Sequence, residues 1–263
     1  MGGEGSFFRA LRRVGLDLVF PRSCGVCRGD LSGDDQSLCG PCQKNFPRWT
    51  GLACRVCGTP LPDGGARCAV CRGRRRSFRF CRSAGLYEGS LRQAILLFKY
   101  GRREEIAVPL GECLAETFRS RPELHRAERV VPVPLHFIKR HARGFNQSER
   151  LARVFAGLTG LRLESDLLVR HRWTWAQAGL GKEKRKTNVQ GAFVVRHPEG
   201  IKNQRVLLID DVCTTGATLE SCARALKEAG AVRVDALTLA RDVETQKYDS
   251  LKPVHVQRAR GGT

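Results

Sequence analysis

Four pairs of cysteines, each with two residues between the partners, constrain the first third of this chain more than any other feature. The pairs are Cys24/Cys27, Cys39/Cys42, Cys54/Cys57 and Cys68/Cys71. They form an internal repeat, because CGVCRGDLSGDDQSLCGPC is followed by CRVCGTPLPDGGARCAVC. A C-x-x-C turn presents two thiolates together, and two such turns complete a tetrahedral zinc site. The repeat therefore predicts two zinc ribbons in tandem, with two structural Zn²⁺ ions.

Iron–sulfur ligation and redox dithiols are the competing interpretations of these pairs. A redox C-x-x-C motif lies in a βαβ unit and is not repeated four times. The segment also holds too few large apolar residues to form a core without metal, so structural zinc is preferred. Spacing alone leaves interleaved pairing of the turns open, although the repeat favours sequential pairing. The four other cysteines are interpreted as small buried side chains: Cys81, Cys113, Cys213 and Cys222.

Positive charge is concentrated in the same segment. Residues 1–82 carry 15 Lys and Arg against 6 Asp and Glu, which is +9 of the formal net charge of +20. Such a balance favours polyanionic partners, whether phosphate metabolites, nucleic acid or a membrane surface. No apolar run approaches the ~18 residues that a membrane span needs, and no secretion signal is present. A cytoplasmic protein without a membrane span is therefore expected.

The basic run RGRRRSFRFCR, residues 72–82, follows the second ribbon. Its arginines and the interleaved Phe78 and Phe80 fit a stripe that binds single-stranded nucleic acid by charge and stacking. A solvated linker or an edge strand explains the same residues equally well. The predicted organisation is a short amphipathic helix (1–20), a double zinc ribbon (21–75), a basic linker or edge strand (76–90), a larger domain (91–242) and a tail (243–263).

Helical and strand patterns alternate from the end of this run onwards. Helices are predicted for residues 89–100, 104–119, 146–158 and 216–230, and strands for 129–135, 204–210 and 232–240. Such alternation is typical of the α/β class, with a mostly parallel sheet flanked by helices. In these sheets ligands bind at the carboxyl ends of the strands.

The stretch IDDVCTTGAT, residues 209–218, lies at one of those ends. The strand pattern places Asp210 and Asp211 at an exposed strand tip, with a threonine-rich loop leading into the next helix. Backbone N–H groups at a helix N-terminus bind a phosphate monoester, and Gly216 permits a tight backbone approach. The carboxylates would repel that phosphate, so they serve vicinal hydroxyls or Mg²⁺. A 5-phosphorylated ribose carries both groups at the right separation.

Four stretches together resemble one known family. RVLLIDDVCTTGATLE is similar to the phosphoribosyl pyrophosphate (PRPP) loop of type I phosphoribosyltransferases. Three further stretches narrow the resemblance to the ComF family: LLFKYGRR, VVPVPLHFIKRHARGFNQSERLA and TWAQAGLGKEKRKTNVQGAF. With the cysteine ribbons, the resemblance covers about residues 20 to 240. It implies a type I phosphoribosyltransferase-like fold preceded by the tandem zinc-ribbon module.

The resemblance also implies roles for individual residues. Asp210 and Asp211 would contact the ribose hydroxyls of PRPP, directly or through Mg²⁺, and the loop would hold the 5-phosphate. The residues assigned to PRPP binding are Asp210, Asp211, Thr214, Thr215, Gly216, Ala217, Thr218, Lys99 and Arg185. The catalytic candidates are Asp210, Asp211 and Arg143. Residues 174–193 are similar to the mobile hood that closes over PRPP in transferases.

Two functions follow from these assignments. Displacement of pyrophosphate from the ribose passes through an oxocarbenium-like state, which Mg²⁺ and nearby cations would stabilise at the leaving group. No residue set identifies the acceptor nucleophile, so catalytic activity stays open. The resemblance implies handling of incoming single-stranded DNA during natural transformation, with that DNA and the DNA-uptake machinery as partners. The alternative is a PRPP-dependent transferase or hydrolase of nucleotide metabolism with no DNA role.

Overall fold

The computed structural model describes residues 23–31, 37–101, 103–135, 144–170, 191–243 and 256–257. The amphipathic helix predicted for residues 1–20 and most of the predicted tail lie outside these ranges. Among the described helices, none has the length and apolar character needed to span a membrane.

Each half of the cysteine repeat folds into the same small unit. The first cysteine pair lies in a turn closed by one antiparallel bridge, Ser23 with Asp30 in the first unit and Ala53 with Pro60 in the second. The second pair lies at the start of a short helix, and its first cysteine is the N-cap residue. The elements of this region are α1 (Gly40–Lys44), β1 (Arg48–Trp49) and α2 (Ala69–Arg72).

A five-stranded parallel sheet forms the larger domain. In chain order its region contains β2 (Cys81–Leu86), α3 (Gly89–Tyr100), α4 (Ala107–Arg119), β3 (Arg129–Pro132), α5 (Gln147–Thr159), β4 (Arg162–Leu163), β5 (Leu168–Arg170), β6 (Phe193–Val195), β7 (Arg205–Cys213), α6 (Ala217–Glu228) and β8 (Arg233–Arg241). Short 3₁₀ turns lie at Glu104–Ile106, Pro122–Leu124 and Pro198–Gly200. The strand order is β2-β8-β7-β3-β4, with every neighbouring pair parallel. The predicted α/β class is confirmed.

Two small antiparallel pairs accompany the sheet. β5 and β6 form one pair, and β9 (Val256–Gln257) pairs with β1 of the ribbon region. The sequence patterns did not predict β5, β6 or β9. Because an isolated pair of two or three residues has no long hydrophobic period, its pairing depends on tertiary contacts that a local pattern does not contain.

Burial explains why the central strands have the sequences they do. Val206, Leu207, Leu208 and Ile209 of β7 are each at most 1% exposed, because helices and ribbons cover both faces of the sheet. A strand buried on both faces is continuously hydrophobic rather than alternating. β7 was predicted to end at Asp210, but it continues to Cys213 because β8 keeps pairing with it.

The helices begin and end where their local chemistry allows. The Asn146 side chain accepts a hydrogen bond from the Ser148 backbone N–H at 3.2 Å and so caps α5, which ends at Gly160 in the left-handed conformation. α3 covers the residues predicted from the sequence pattern. The predicted helix at 104–119 starts as a 3₁₀ turn and becomes α-helical at Ala107.

Each ribbon completes the hydrophobic layer on one face of the sheet. Leu38 and Phe46 of the first ribbon share a buried cluster with α3, α4 and α5. The cysteines of the second ribbon share a second cluster with α6, Phe78 and the β5–β6 pair. The ribbon region and the sheet therefore have joint cores rather than separate ones.

Candidate ligand site and zinc sites

Eight cysteines form two sets of four thiols. The sets are Cys24, Cys27, Cys39, Cys42 and Cys54, Cys57, Cys68, Cys71, and within each set the sulfurs all lie within 4.8 Å of one another. The backbone N–H groups of Val26 and Gly29 donate to cysteine sulfurs at 3.4 Å, which orients two of the thiols. Four thiolates at this separation fit tetrahedral Zn²⁺, which would contribute to folding. The sets follow the repeat units, so pairing is sequential.

Asp210 and Asp211, the acidic pair, lie within β7, close to the carboxyl end of the strand. Asp210 accepts a hydrogen bond from Ser148 Oγ at 2.9 Å and another from the Asp211 backbone N–H at 2.9 Å. Lys99 Nζ lies 2.9 Å from Asp211 Oδ1. The prediction of an exposed strand tip is wrong, because β7 continues beyond the pair and Asp211 is only 9% exposed. α3, α5 and β7 thus bring polar groups to one point.

The two carboxylates have different electrostatic environments. Lys99 forms an ion pair with Asp211, whereas Asp210 accepts the hydrogen bond from Ser148. Burial, followed by the neighbouring Asp211 carboxylate, raises the pKa of Asp210 to about 7, and the Ser148 hydrogen bond only partly offsets this. Asp210 is therefore a carboxyl group whose negative charge lacks full compensation. A cation or a pair of hydroxyl donors would supply it.

A threonine-rich loop joins β7 to α6 beside the acidic pair. Gly216 is the residue before α6 and has φ of 74°, in the left-handed region that favours glycine. Thr215 Oγ1 accepts a hydrogen bond from the Ala217 backbone N–H at 3.3 Å. The Thr214 side chain is exposed, and Thr218 is half-buried. The first N–H groups of a helix have no acceptor within that helix, so this end of α6 can bind an anion.

The structure brings most of the predicted PRPP contacts together. Lys99 and the acidic pair meet directly, and the loop 214–218 continues from the same strand. Arg143 and Arg185 lie outside the described residues, as does the predicted hood apart from residues 191–193.

Two residues that contact the candidate site were not predicted from the sequence. Ser148 lies in the first turn of α5, and the N-cap Asn146 with Glu149 three residues later was the available signal for that helix start. Arg76 was assigned to the basic run, but its Nη2 donates to the Thr215 carbonyl oxygen at 3.3 Å. No local pattern indicates a contact between residues so far apart in the chain.

The aromatic residues of the basic run are not free to stack on bases in the way that the sequence suggested. Phe78 is 1% exposed and belongs to the second hydrophobic cluster, so the stacking interpretation is wrong for this residue. Phe80 is half-buried, with the guanidinium groups of Arg79, Arg82 and Arg233 between 5.0 and 5.5 Å from its ring centre. The four unpaired cysteines of the sequence are buried, as predicted.

Two family profiles match the chain. The profile described as "Double zinc ribbon domain" matches residues 15–73, and that described as "Phosphoribosyl transferase domain" matches residues 125–259. The DNA utilization protein YhgH of Salmonella typhimurium is 30% identical over 227 residues, which cover 85% of this chain and 99% of that protein. The chain belongs to the ComF family. β2, α3 and α4 lie before the second matched range, yet β2 is a strand of the same sheet.

Other ComF-family relatives carry competence names. Competence protein F of Haemophilus influenzae is 28% identical over 83% of this chain and 96% of that protein. Competence protein ComFC of Bacillus subtilis is 29% identical over 83% of this chain and 94% of that protein. Among solved structures, the glutamine PRPP amidotransferase of B. subtilis covers 53% of this chain and 26% of its own, with 22% identity and a TM-score of 0.34.

Proposed function

We propose that the end of β7 binds PRPP or a related ribose 5-phosphate together with Mg²⁺. The observation that carries the proposal is the meeting of Lys99, Ser148 and the acidic pair beside the loop before α6. The loop amides and the N-terminus of α6 would hold the 5-phosphate. The carboxylates would accept hydrogen bonds from the ribose hydroxyls or bind Mg²⁺, which prefers oxygen ligands.

The difference between the two carboxylates supports this assignment. Lys99 forms an ion pair with Asp211, whereas burial and then the neighbouring Asp211 carboxylate raise the pKa of Asp210. A ligand that places hydroxyl donors or a divalent cation at Asp210 would lower its pKa and gain binding free energy. A bare phosphate would instead add negative charge beside this carboxyl group and would bring neither a divalent cation nor vicinal sugar hydroxyls. The site therefore favours a phosphorylated sugar over a free phosphate.

Calorimetric titration with ribose 5-phosphate, and with PRPP and Mg²⁺, tests the proposal. Asp210→Asn keeps the shape of the side chain and should lower affinity at least about tenfold, as expected when a charged acceptor is lost. The matched control is Glu164→Gln, because Glu164 is a half-buried acid paired with Arg129 at the opposite end of β3. Wild-type affinity in Asp210→Asn, or equal losses in both variants, would refute the site. Asp211 is unsuitable, since its removal leaves the half-buried Lys99 without its ion-pair partner.

We further propose that the second ribbon and the segment after it bind single-stranded DNA. In this region, residues 54–82, Asp63 is the single acidic residue. Six of its arginines are exposed: Arg55, Arg67, Arg72, Arg74, Arg75 and Arg79. Their charge would neutralise phosphates and release counterions. The names of the relatives, which refer to competence and DNA utilization, support a role with DNA.

Salt dependence of DNA binding tests this second proposal. Arg74→Ser with Arg75→Ser should reduce the slope of log affinity against log salt by up to about 1.4, because each phosphate contact on a single strand contributes about 0.7. Arg121→Ser with Arg126→Ser is the control, since both arginines are exposed on the larger domain. Equal slopes for the two double variants would remove the ribbon from DNA binding. Absence of binding at low salt, with PRPP binding intact, would favour the nucleotide-metabolism alternative.

A further inference from the structure

The segment that leaves the second ribbon packs against the loop before α6. The Ser77 backbone N–H donates to both Glu220 carboxylate oxygens at 3.1 Å, and Ser77 Oγ donates to Glu220 Oε1 at 2.8 Å. Glu220 lies in the first turn of α6. A Cβ on Gly216 would lie 4.0 Å from the Phe78 ring, so this ring lies directly behind the loop. Residues 76–78 therefore support the loop through both polar and apolar contacts.

Arg76 is the member of this segment that reaches the loop backbone. Its side chain is 8% exposed, and its guanidinium lies 5.5 Å from the Phe78 ring centre. Nη2 donates to the Thr215 carbonyl oxygen at 3.3 Å, while Nη1 lies 4.0 Å from Glu220 Oε2. Nε is buried and has no acceptor among the described residues. A guanidinium buried with an unsatisfied donor is costly, so its position calls for an explanation.

The contact between Arg76 and the Thr215 carbonyl also determines the direction of the next N–H group. In a trans peptide the C=O and the following N–H point in opposite directions. Because Arg76 holds the Thr215 carbonyl, the Gly216 N–H points away from Arg76, towards the opposite side of the loop. A cation on the carbonyl also polarises the peptide and strengthens its N–H as a donor. We infer that Arg76 is a positioning residue, which aims the Gly216 N–H at the 5-phosphate; this rests on the proposed ribose 5-phosphate site.

The inference changes the role of the basic run. Arg74 and Arg75 are exposed, whereas Arg76 belongs to the ligand site. Arg76 lies five positions after Cys71, a member of the second thiol set. The segment after the second ribbon thus supplies a residue of the ligand site that lies outside both matched ranges, 15–73 and 125–259.

Selective isotope labelling tests the geometry directly. With ¹³C-carbonyl threonine and ¹⁵N-glycine, only Thr–Gly peptides give a signal, and the chain has three: Thr50–Gly51, Thr159–Gly160 and Thr215–Gly216. Arg76→Ala should shift the Gly216 amide signal and leave the other two in place. The control Arg75→Ala should shift none of the three. An unmoved Gly216 signal in Arg76→Ala would overturn the inference.

Affinity for ribose 5-phosphate provides the functional readout. Arg76→Ala should weaken binding about tenfold, and Arg76→Lys, which keeps a cation able to donate to Thr215, should recover binding to within about threefold of wild type. Arg75→Ala should bind as wild type. If Arg76→Ala does not fold, the Lys variant and its Gly216 signal decide: wild-type affinity with an unmoved signal supports positioning, and a tenfold loss refutes it. Failure of the wild type to bind refutes the proposed function, whereas equal binding by wild type and Arg76→Ala refutes only this inference.

Discussion

Replacing Gly216 by alanine separates the conformation of the loop from general stability. Gly216 has φ of 74°, and its added Cβ would meet Cys213 Sγ at 3.7 Å, an ordinary contact. The cost is therefore backbone strain, about 1–2 kcal/mol for a residue in the left-handed region, less about 0.4–1 kcal/mol gained by restricting the unfolded chain. The net loss of about 1 kcal/mol should lower the melting temperature by about 2–4 °C.

The binding assay distinguishes Gly216 from a matched glycine. Gly160 has φ of 72° at the end of α5, and a Cβ there meets no atom within 4 Å, so Gly160→Ala carries the same strain away from the site. Without ligand, an alanine at position 216 relieves strain by leaving the left-handed region. Ribose 5-phosphate must then restore that conformation, and its affinity should fall by up to about tenfold. Calorimetry should show this loss of affinity for Gly216→Ala and wild-type affinity for Gly160→Ala. Wild-type affinity in Gly216→Ala, with the expected melting shift in Gly160→Ala, would refute the reasoning.

Three further predictions follow from metal content, pH and packing. The purified protein should contain two zinc ions and no disulfides among the eight paired cysteines; one equivalent of zinc in metal analysis would contradict the paired thiol sets. Because the pKa of Asp210 is raised to about 7 from 3.8, the folded state holds a proton that the unfolded state has released, so stability should fall as pH rises from about 4 to about 7. Asp210→Asn should remove this dependence of the free energy of unfolding on pH. An unchanged dependence in the variant would contradict the raised pKa of Asp210. Phe78→Ala should lower the free energy of unfolding by about 3–5 kcal/mol in denaturant titrations, whereas a loss below about 1 kcal/mol would contradict the burial of its ring.

The elements that the sequence predicts well are those whose information is local. α3 has a clear helical period, and Val206–Ile209 have the continuous hydrophobicity of a strand buried on both faces. The cysteine repeat likewise favours sequential pairing of the C-x-x-C turns, which the two thiol sets show. The end of β7 was misplaced because Asp210 and Asp211 are typical of a strand terminus, whereas pairing with β8 keeps them in the strand. Tertiary pairing overrode the local preference.

The residues of the candidate site also differ in how far they can be predicted from local sequence. Asp210, Asp211 and the threonine loop are continuous in sequence, so their motif is visible without a structure. Ser148 and Arg76 reach the site from elements 62 and 139 residues away in the chain from their partners, and nothing in their neighbouring residues indicates those contacts. Such residues become visible only when the sheet order places their elements side by side.

The joint cores decide which experiments on the ribbon region are informative. Removing residues 1–82 would take away Leu38 and Phe46, which cover α3, and Phe78, which lies behind Gly216. It would also cut β2, the edge strand, after its second residue. A truncated chain would therefore lose the packing of both sheet faces as well as any DNA contacts, and its failure to bind DNA would have two causes. Substitution of exposed arginines changes the charge alone. Arg76 is not among these exposed arginines, because its side chain is only 8% exposed. Loss of DNA binding and loss of sugar phosphate binding can therefore be assigned to different residues of one short segment.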